Sequence, residues 1–391
     1  MTEKASAAQQ PAASIAGSLE HVEAAAWNAI ANPNQATYNP FIDYAFLRAL
    51  EISGCVGTGT GWHPRHILIE DEAGLTAAMP AYLKTHSQGE YVFDHSWADA
   101  YQRAGGHYYP KLQCAVPFTP VPGHRLLVRE GETAADLRRM LAAIAVQATR
   151  QLEASSFHAT FLTENEWNEL GDMGFLKRTG QQFHFTNPGY RTFDDFLSEL
   201  AARKRKAIRK ERAQAGQGLT IRQLTGSEIT EADWDAFFAF YIDTGSRKWG
   251  RPYLNREFFS RLGEAMSERC LLVFAYEHGR PIAGALNMIG GDCLYGRYWG
   301  ACEQRPYMHF ELCYYQAIDY AIAHAIPRVE AGAQGDHKLA RGYQPVTTYS
   351  AHHIVDPALR RAIAHFLEHE REAIAEINED LAAAGPFRKD E

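Results

Sequence analysis

Apolar and polar residues follow two periods along the chain, and these periods predict its strands and helices. In the first half, three segments have the residue pattern of strands, and short polar turns connect them, so an antiparallel meander is expected. The predicted strands are Arg65–Glu70, Leu75–Leu83 and Glu90–Asp94. Helical spacing then predicts a helix at 133–154, followed by a strand at 157–162, a short helix, and a strand at 181–186.

The same order of elements returns in the second half. Three strands are joined by HGR and GGD turns: Cys270–Glu277, Pro281–Ile289 and Cys293–Trp299. A helix at 309–325, strands at 328–331 and 347–354, and an amphipathic helix after Asp356 and Pro357 follow them. This repeat predicts an α/β (α+β) fold of two similar domains, each a mixed, mostly antiparallel sheet flanked by helices.

A basic helix is predicted between the two repeats. Thr192 and Asp195 form a capping box that opens it. Seven of the ten residues 203–212 are Lys or Arg, whereas the whole chain carries a net charge of −8. Either this end of the helix is simply solvated, or it meets a polyanion, for which Lys204 and Arg205 are the candidate contacts.

The patterns divide the chain into a disordered tail (1–18), a first domain (19–190), the linking helix (191–216) and a second domain (217–391). The tail is rich in Ala, Ser and Gln and has no apolar signal segment, and the longest apolar run, CLLVFAY, is too short to span a membrane. A cytoplasmic location is therefore expected. The six cysteines are scattered without a CxxC pair, so no metal site is expected.

A dense group of titratable residues lies before the last strand. Asp336, His337, Lys338 and Arg341 fall within six residues of a connection between two strands. Such groups are typical of a catalytic site, although a charged, solvated turn has the same pattern.

A second candidate segment interleaves bases with an aromatic residue. Its members are Arg247, Lys248, Trp249 and Arg251. The combination suits a nucleotide or a phosphate sugar, and it equally suits an ordinary loop pinned by the tryptophan.

Four segments carry a resemblance to a known family. They are NPFIDYAFLRALE (39–51), WHPRHILIEDEAGLTAAMPAYLK (62–84), GRPIAGALNMIGGDCLYGRYWGACEQRPYMHFELCYYQAIDYA (279–321) and GAQGDHKLARGYQP (332–345). With the repeated order of elements, they resemble the FemAB-like branch of the GNAT (N-acetyltransferase-like) superfamily, in which two GNAT-like domains stand in tandem. Members of that branch add amino acids to peptidoglycan precursors, so the resemblance implies acyl transfer to an amine.

The resemblance also bears on the acyl donor. In the GNAT fold the donor lies where the central strands splay apart, and users of acetyl-CoA carry an Arg/Gln-x-x-Gly-x-Gly/Ala loop there. This chain reads GACEQRPYMHFEL at that place (300–312). FemAB-like enzymes lack the loop and use aminoacyl-tRNA, and KLARGY resembles their Lys-and-Gly-aromatic signature. The implied donor is aminoacyl-tRNA or acyl-CoA, with tRNA as a partner and no tightly bound cofactor.

Roles follow from the resemblance and from the chemistry of acyl transfer. Lys338 and Arg341 are expected to stabilise the oxyanion or a donor phosphate. His337 or Asp336 is expected to accept the proton of the amine, with Glu311 as the second choice of base.

Arg297 and Tyr298, on the third strand of the second repeat, are expected to line the cleft, and strand alternation predicts that only one of them faces it. The acceptor is expected to be a cell-wall precursor or another small molecule. A hypothesis of a different class is a protein without catalytic activity that binds a nucleotide sugar, a lipid precursor or RNA. The sequence leaves the acceptor, the acyl group and the oligomeric state open.

Overall fold

A computed structural model of the chain describes residues 11–248, 252–332 and 335–388. Its strands are β1 (Ala12–Ala16), β2 (Trp62–Pro64), β3 (His66–Asp71), β4 (Gly74–Met79), β5 (Ala81–Lys84), β6 (Lys111–Cys114), β7 (Leu127–Val128), β8 (Ser156–Leu162), β9 (Leu176–Thr186), β10 (Thr220–Thr225), β11 (Cys270–Glu277), β12 (Arg280–Ile289), β13 (Cys293–Ala301), β14 (Arg328–Glu330) and β15 (Gln344–Ile354).

Helices cover both faces of the sheets. They are α1 (Ala24–Ala31), α2 (Tyr44–Ile52), α3 (His95–Arg103), α4 (Ala134–Gln151), α5 (Glu164–Asp172), α6 (Phe193–Glu199), α7 (Ala202–Ala215), α8 (Glu231–Lys248), α9 (Arg256–Met266), α10 (Met308–Phe310), α11 (Gln316–Ala323) and α12 (Pro357–Ala383). A π-helical segment, Glu311–Tyr315, connects α10 to α11, and a 3-10 helix spans Asp336–Arg341. The predicted α/β fold is confirmed.

The strands of the two halves form one large sheet. Within the described residues it has eleven strands, in the order β10-β11-β12-β13-β14-β9-β15-β8-β6-β5-β2, beside a smaller sheet β1-β3-β4-β7. The last strand of the first half, β9, lies between β14 and β15, and the last strand of the second half, β15, lies between β9 and β8. The halves therefore exchange their final strands. Because each exchanged strand pairs with strands of the other half, neither half of the sheet is complete without the other.

Three local predictions are wrong. Residues 12–16, expected in a disordered tail, pair with β3 as strand β1, because backbone hydrogen bonding at a sheet edge does not depend on apolar side chains. Segment 90–94 is not a strand, since Tyr91 takes a left-handed backbone conformation (φ 62°) and the helix α3 begins directly after it. The linking helix is broken into α6 and α7. Leu200 is fully buried in an extended conformation and bridges to Phe387 there.

The apolar core has layers on both faces of the sheet around β12, β13 and β14. One layer packs under α1, α2, α8 and α9, with Trp27 and Trp234 among its fully buried members. The other packs under α6, the π segment and α11, with Phe196 and Tyr315. These layers hold β13 and β14 from both sides at the place where the two strands separate.

Candidate active site

A cleft opens where β13 and β14 separate. The two strands are parallel and pair only over three residues, up to Tyr295 opposite Glu330. Beyond that point β13 stays with β12, and the chain after β14 turns away. The space between them is called the splay cleft here, and its lining includes Asn287, Gly296, Arg297, Cys313, Tyr314 and Ala331.

A β-bulge shapes one wall of the splay cleft. The β12–β13 register shifts so that Leu286 faces Tyr298 while Asn287 faces Gly296, which leaves Arg297 as the extra residue. Both Arg297 and Tyr298 line the cleft, so the prediction that only one of them would face it is wrong. The bulge breaks the strict alternation on which that prediction rested. Both side chains also donate to the Phe118 carbonyl oxygen, at 3.3 and 3.1 Å.

Asn287 was not predicted as a site residue. Its side chain is 1% exposed, and neither Oδ1 nor Nδ2 has a hydrogen-bond partner within the described part of the chain. A Cβ on Gly296 would lie 3.3 Å from Asn287 Oδ1, so the glycine leaves room for the amide at the start of the cleft. The available signal was a lone amide inside the apolar strand IAGALNMI (282–289).

Lys338 holds a buried ammonium group near two residues that line the cleft. It is 1% exposed, and its Nζ donates to the Gly332 carbonyl oxygen at 2.8 Å. Burial lowers the pKa of Lys338 to about 7; the nearby Cys313 raises it and Arg297 lowers it further. Both neighbours line the splay cleft. No carboxylate among the described side chains lies within ion-pair distance of this ammonium.

His337 connects to the cleft through a tyrosine. Its Nε2 lies 2.8 Å from the hydroxyl of Tyr314, and Tyr314 lines the cleft. The π segment places Tyr314 and Cys313 on the cleft side of the helix, and such π insertions are frequent at functional sites. The two rings offer a path for a proton out of the cleft. The side chain of Asp336 lies outside the described residues.

Arg341 ties the 3-10 helix to α7. Its Nη2 donates to both carboxylate oxygens of Glu211 at 3.0 Å, and Nη1 donates to the His337 carbonyl oxygen at 2.7 Å. The hydroxyl of Tyr315 donates to the same carboxylate, and the guanidinium stacks 3.4 Å from the Phe310 ring centroid. Arg341 is thus a structural link in this conformation, and its predicted role toward oxyanion or phosphate stays a prediction.

Glu311 makes a second tie to α7. Arg212 binds its carboxylate with two hydrogen bonds of 3.1 and 2.9 Å, and Gln316 adds a third of 2.8 Å. Glu311 is 3% exposed. Both carboxylate oxygens of Glu311 are therefore already occupied by hydrogen bonds from Arg212 and Gln316. The geometry favours His337 over Glu311 as the base.

The two ties place the basic part of α7 beside the candidate site. Arg205 donates to the Leu200 carbonyl oxygen at 3.3 Å, near the start of the helix. Four other bases of α7, called the basic segment here, have no ion-pair partner among the described residues: Arg203, Lys204, Lys206 and Lys210. Of the other predicted contacts, Trp249 and Arg251 lie outside the described residues, as do the side chains of Arg247 and Lys248.

The first half has a parallel pair that corresponds to β13 and β14, namely β6 and β8. Here the polar groups are paired with one another. Lys111 donates to Ser87 at 2.8 Å, to Glu90 at 2.7 Å and to Asp94, and Tyr108 donates to Asp94 at 2.7 Å. Burial by itself would lower the pKa of Lys111, but the carboxylates of Glu90 and Asp94 together raise it. The buried polar cluster of the first half is Lys84, Ser87, Glu90, Asp94, Tyr108 and Lys111.

Two structural features are absent from the described residues. No helix in them is long and apolar enough to cross a membrane. No group of three or more His, Cys, Asp or Glu residues in them is arranged to hold a metal ion.

Comparison with known proteins places this geometry in a family. A family model described as peptidoglycan biosynthesis/recognition, FemAB-like, matches residues 18–389. A crystal structure of FemX aligns with TM-score 0.54 and 12% identity over 88% of this chain and 99% of its own. The C-terminal domain (DUF2156) of a putative lysylphosphatidylglycerol synthetase from Agrobacterium fabrum aligns with TM-score 0.53 and 10% identity over 88% and 95%.

The L-PGS structure from Bacillus licheniformis aligns with TM-score 0.50 and 10% identity over 85% of this chain and 98% of its own. No curated protein matches the sequence. The mixed α/β fold that the sequence predicts is shared with FemX over nearly the whole of that structure. The chain belongs to the FemAB-like family of peptidoglycan biosynthesis/recognition proteins.

Proposed function

We propose that the protein is an N-acyltransferase that moves an aminoacyl or acyl group to the amine of a cell-wall precursor or a related small molecule. The observation that carries the proposal is the buried Lys338 ammonium beside the splay cleft, with a backbone carbonyl as its described partner. A cation kept in this setting suits the charge that develops on an acyl oxygen. The family description and the names of FemX and lysylphosphatidylglycerol synthetase support the same chemistry.

The reaction forms a C–N bond and breaks the C–O or C–S bond of the donor. The amine must lose a proton, and the donor oxygen or sulfur must gain one. His337, reached through the Tyr314 hydroxyl, is the proposed acceptor of the amine proton. Lys338 in its charged form stabilises the oxyanion of the tetrahedral intermediate.

Aminoacyl-tRNA is the proposed donor, and acyl-CoA is the alternative. The basic segment of α7 lies on the helix that Glu211 and Arg212 tie to the candidate site. Lysine and arginine side chains that have no ion-pair partner among the described residues, next to a transfer site, suit the phosphates of a nucleic acid. Use of charged tRNA would place the reaction in the cytoplasm.

The test offers the purified protein a pool of charged tRNAs, and separately acetyl-CoA, together with the soluble nucleotide-linked peptide precursor of peptidoglycan. We expect the precursor to gain the mass of an amino acid residue from the tRNA pool. Gain of an acetyl group instead would establish the alternative donor. If neither donor modifies the precursor and neither binds in a calorimetric titration, the transferase proposal is wrong.

A variant pair tests the contact with tRNA. Lys204→Gln with Lys206→Gln removes two charges of the basic segment, and Arg361→Gln with Arg103→Gln removes two exposed charges from α12 and α3. Each lost phosphate contact lowers the slope of log affinity against log salt by about 1. We expect the first pair to reduce that slope by about 2 and the second pair to leave it unchanged. Equal slopes for both pairs would remove α7 from the proposal.

A further inference from the structure

We propose that Asn287 holds the reacting carbonyl and the attacking amine in the splay cleft, donating from Nδ2 to the acyl oxygen and accepting from the amine N–H at Oδ1. This inference rests on the proposed function and names a residue that acts on the reacting atoms. It is independent of whether the donor is an ester or a thioester, because both present the same carbonyl.

The position of Asn287 supports this role. It faces Gly296, the residue directly after the last β13–β14 pair, so its amide lies at the point where the two strands part. The bulge that follows brings Arg297 into the same wall of the cleft, and Cys313 and Tyr314 form the opposite wall. Gly296 offers no side chain that would cover the amide.

The unpaired state of the amide is the second observation. Buried side-chain amides in folded proteins nearly always have hydrogen-bond partners, because a buried donor or acceptor without one is costly. Here both ends of the amide lack a partner in the described chain, although Leu has nearly the same volume and would avoid the cost. The residue therefore does not contribute to stability through its polarity. A ligand with a neighbouring acceptor and donor would satisfy both ends at once.

The Asn287 amide can make more hydrogen bonds to the tetrahedral intermediate than to the product. A primary amide offers its donor and acceptor side by side on one edge. In the tetrahedral intermediate the oxyanion and the amine N–H can lie on the same side of the new C–N bond, and both then meet that edge. In the trans amide product the C=O and N–H point in opposite directions, so one of the two contacts is lost. An interaction that is complete only in the intermediate accelerates the reaction and favours product release.

In the proposed step, one bond forms to the carbonyl carbon, one bond to it breaks, and each proton is accounted for. The amine nitrogen attacks the carbonyl carbon, the carbonyl electrons move to the oxygen that Nδ2 contacts, and the amine proton passes to His337. Collapse of the intermediate restores the C=O bond and expels the donor oxygen or sulfur, which takes up a proton. Asn287 itself neither gains nor loses a proton.

The test compares Asn287→Leu and Asn287→Asp with a control in another buried asparagine. Asn32 is the matched control, since its Nδ2 donates to the Asn39 carbonyl at 3.1 Å and its Oδ1 accepts from the Asn39 N–H at 2.8 Å. Each variant is measured for its unfolding midpoint in urea and for single-turnover transfer from the pool of charged tRNAs and from acetyl-CoA to the nucleotide-linked peptide precursor.

We expect Asn287→Leu to unfold at the same or a higher urea concentration than the wild type, and Asn32→Leu to unfold at a lower one. We expect Asn287→Leu to lose about 100-fold in the transfer rate with donor affinity within a factor of three, as for loss of an oxyanion donor. Asn287→Asp, which keeps the shape but not the donor, should lose a similar factor.

Three outcomes would overturn the inference. Asn287→Leu that transfers at the wild-type rate would show that the amide does not touch the reacting atoms, while the transferase proposal would stand. Asn287→Leu that is destabilised like Asn32→Leu and transfers normally per folded molecule would show a structural role. A wild-type protein that transfers from neither donor would reject the inference together with the proposed function.

Discussion

The two halves of the molecule each bury a lysine next to a parallel strand pair, and the two lysines differ in their surroundings. Lys111 in the first half contacts two carboxylates and a hydroxyl, whereas Lys338 in the second half contacts one backbone carbonyl within the described residues. The pKa of Lys111 is raised, and the pKa of Lys338 is lowered to about 7. Both are almost fully buried, so the difference lies in the partners and not in the depth.

The comparison indicates that the buried lysine of the first half serves stability, whereas the buried lysine of the second half suits the proposed chemistry. A buried ion that is fully paired stays charged and holds its neighbours in place. A buried ion without a charged partner is unfavourable in the free protein and becomes favourable when an anion or a developing oxyanion arrives. In the first half the ammonium meets carboxylates of its own domain, and in the second half no described carboxylate lies within ion-pair distance of it, which suits the proposed role of Lys338.

Loss of the paired lysine should have the largest effect. Lys111→Met leaves Asp94 buried without its cation and leaves Glu90 with the Lys84 ammonium 3.6 Å away. Breaking a buried ion pair on one side costs about 3–5 kcal/mol. Urea unfolding at pH 7 measures this change. Adding Glu90→Gln and Asp94→Asn to Lys111→Met should restore part of the stability. A single variant as stable as the wild type would contradict the structural role of the cluster.

Loss of the unpaired lysine should act on activity instead. Lys338→Met should reduce transfer by about 10²–10³-fold, the range for removal of an oxyanion-stabilising donor. Because the ammonium contacts only the Gly332 carbonyl in the described chain, we expect the unfolding free energy to be unchanged or slightly higher. Single-turnover rates and urea curves on the same preparation separate the two effects. Wild-type turnover would remove Lys338 from the site.

The smallest expected effect is on the pH dependence of stability, and it also tests the difference between the two lysines. Between pH 7 and about 10.4 the unfolded chain keeps a proton on Lys338 that the folded protein has lost, so the wild type gains stability as the pH rises through this window. Lys338→Met lacks this gain. Its stability relative to the wild type should therefore be highest at and below pH 7 and fall by about 2–3 kcal/mol by pH 9. Urea unfolding at pH 6.5 and pH 9 measures the difference in unfolding free energy between the variant and the wild type. The same difference at both pH values would show that Lys338 is not desolvated.

Much of the fold was predictable because its signals are local. The strands β11, β12 and β13, the helix α4 and the Asp356-Pro357 start of α12 depend on apolar periodicity and capping within a few residues, and they lie within a few residues of where the sequence predicts them. The strand predicted at 90–94 is wrong because Glu90 and Asp94 contact Lys111, about twenty residues away along the chain. A contact of that kind has no local pattern.

The candidate site was predictable in part for the same reason. The density of titratable groups at 336–341 is visible in the sequence. In the structure His337 contacts Tyr314, and Lys338 lies near Cys313 and Arg297, all three of which line the splay cleft. The roles predicted for Glu311 and Arg341 stay predictions. Their bidentate partners on α7 were not foreseeable, since those partners lie 99 and 130 residues away along the chain.

The sequence by itself determined the order of elements, the repeat of two halves, the basic helix between them and the charged turn before the last strand, because each depends on neighbours in the chain. The tertiary structure alone decided that β9 and β15 change places, that a bulge places both Arg297 and Tyr298 at the cleft, and that Asn287 has no hydrogen-bond partner in the described part of the chain. Strand pairing and hydrogen-bond satisfaction are set by which distant segments meet. A lysine in a sequence is only a cation, and whether it meets carboxylates or an open cleft is decided when the chain folds.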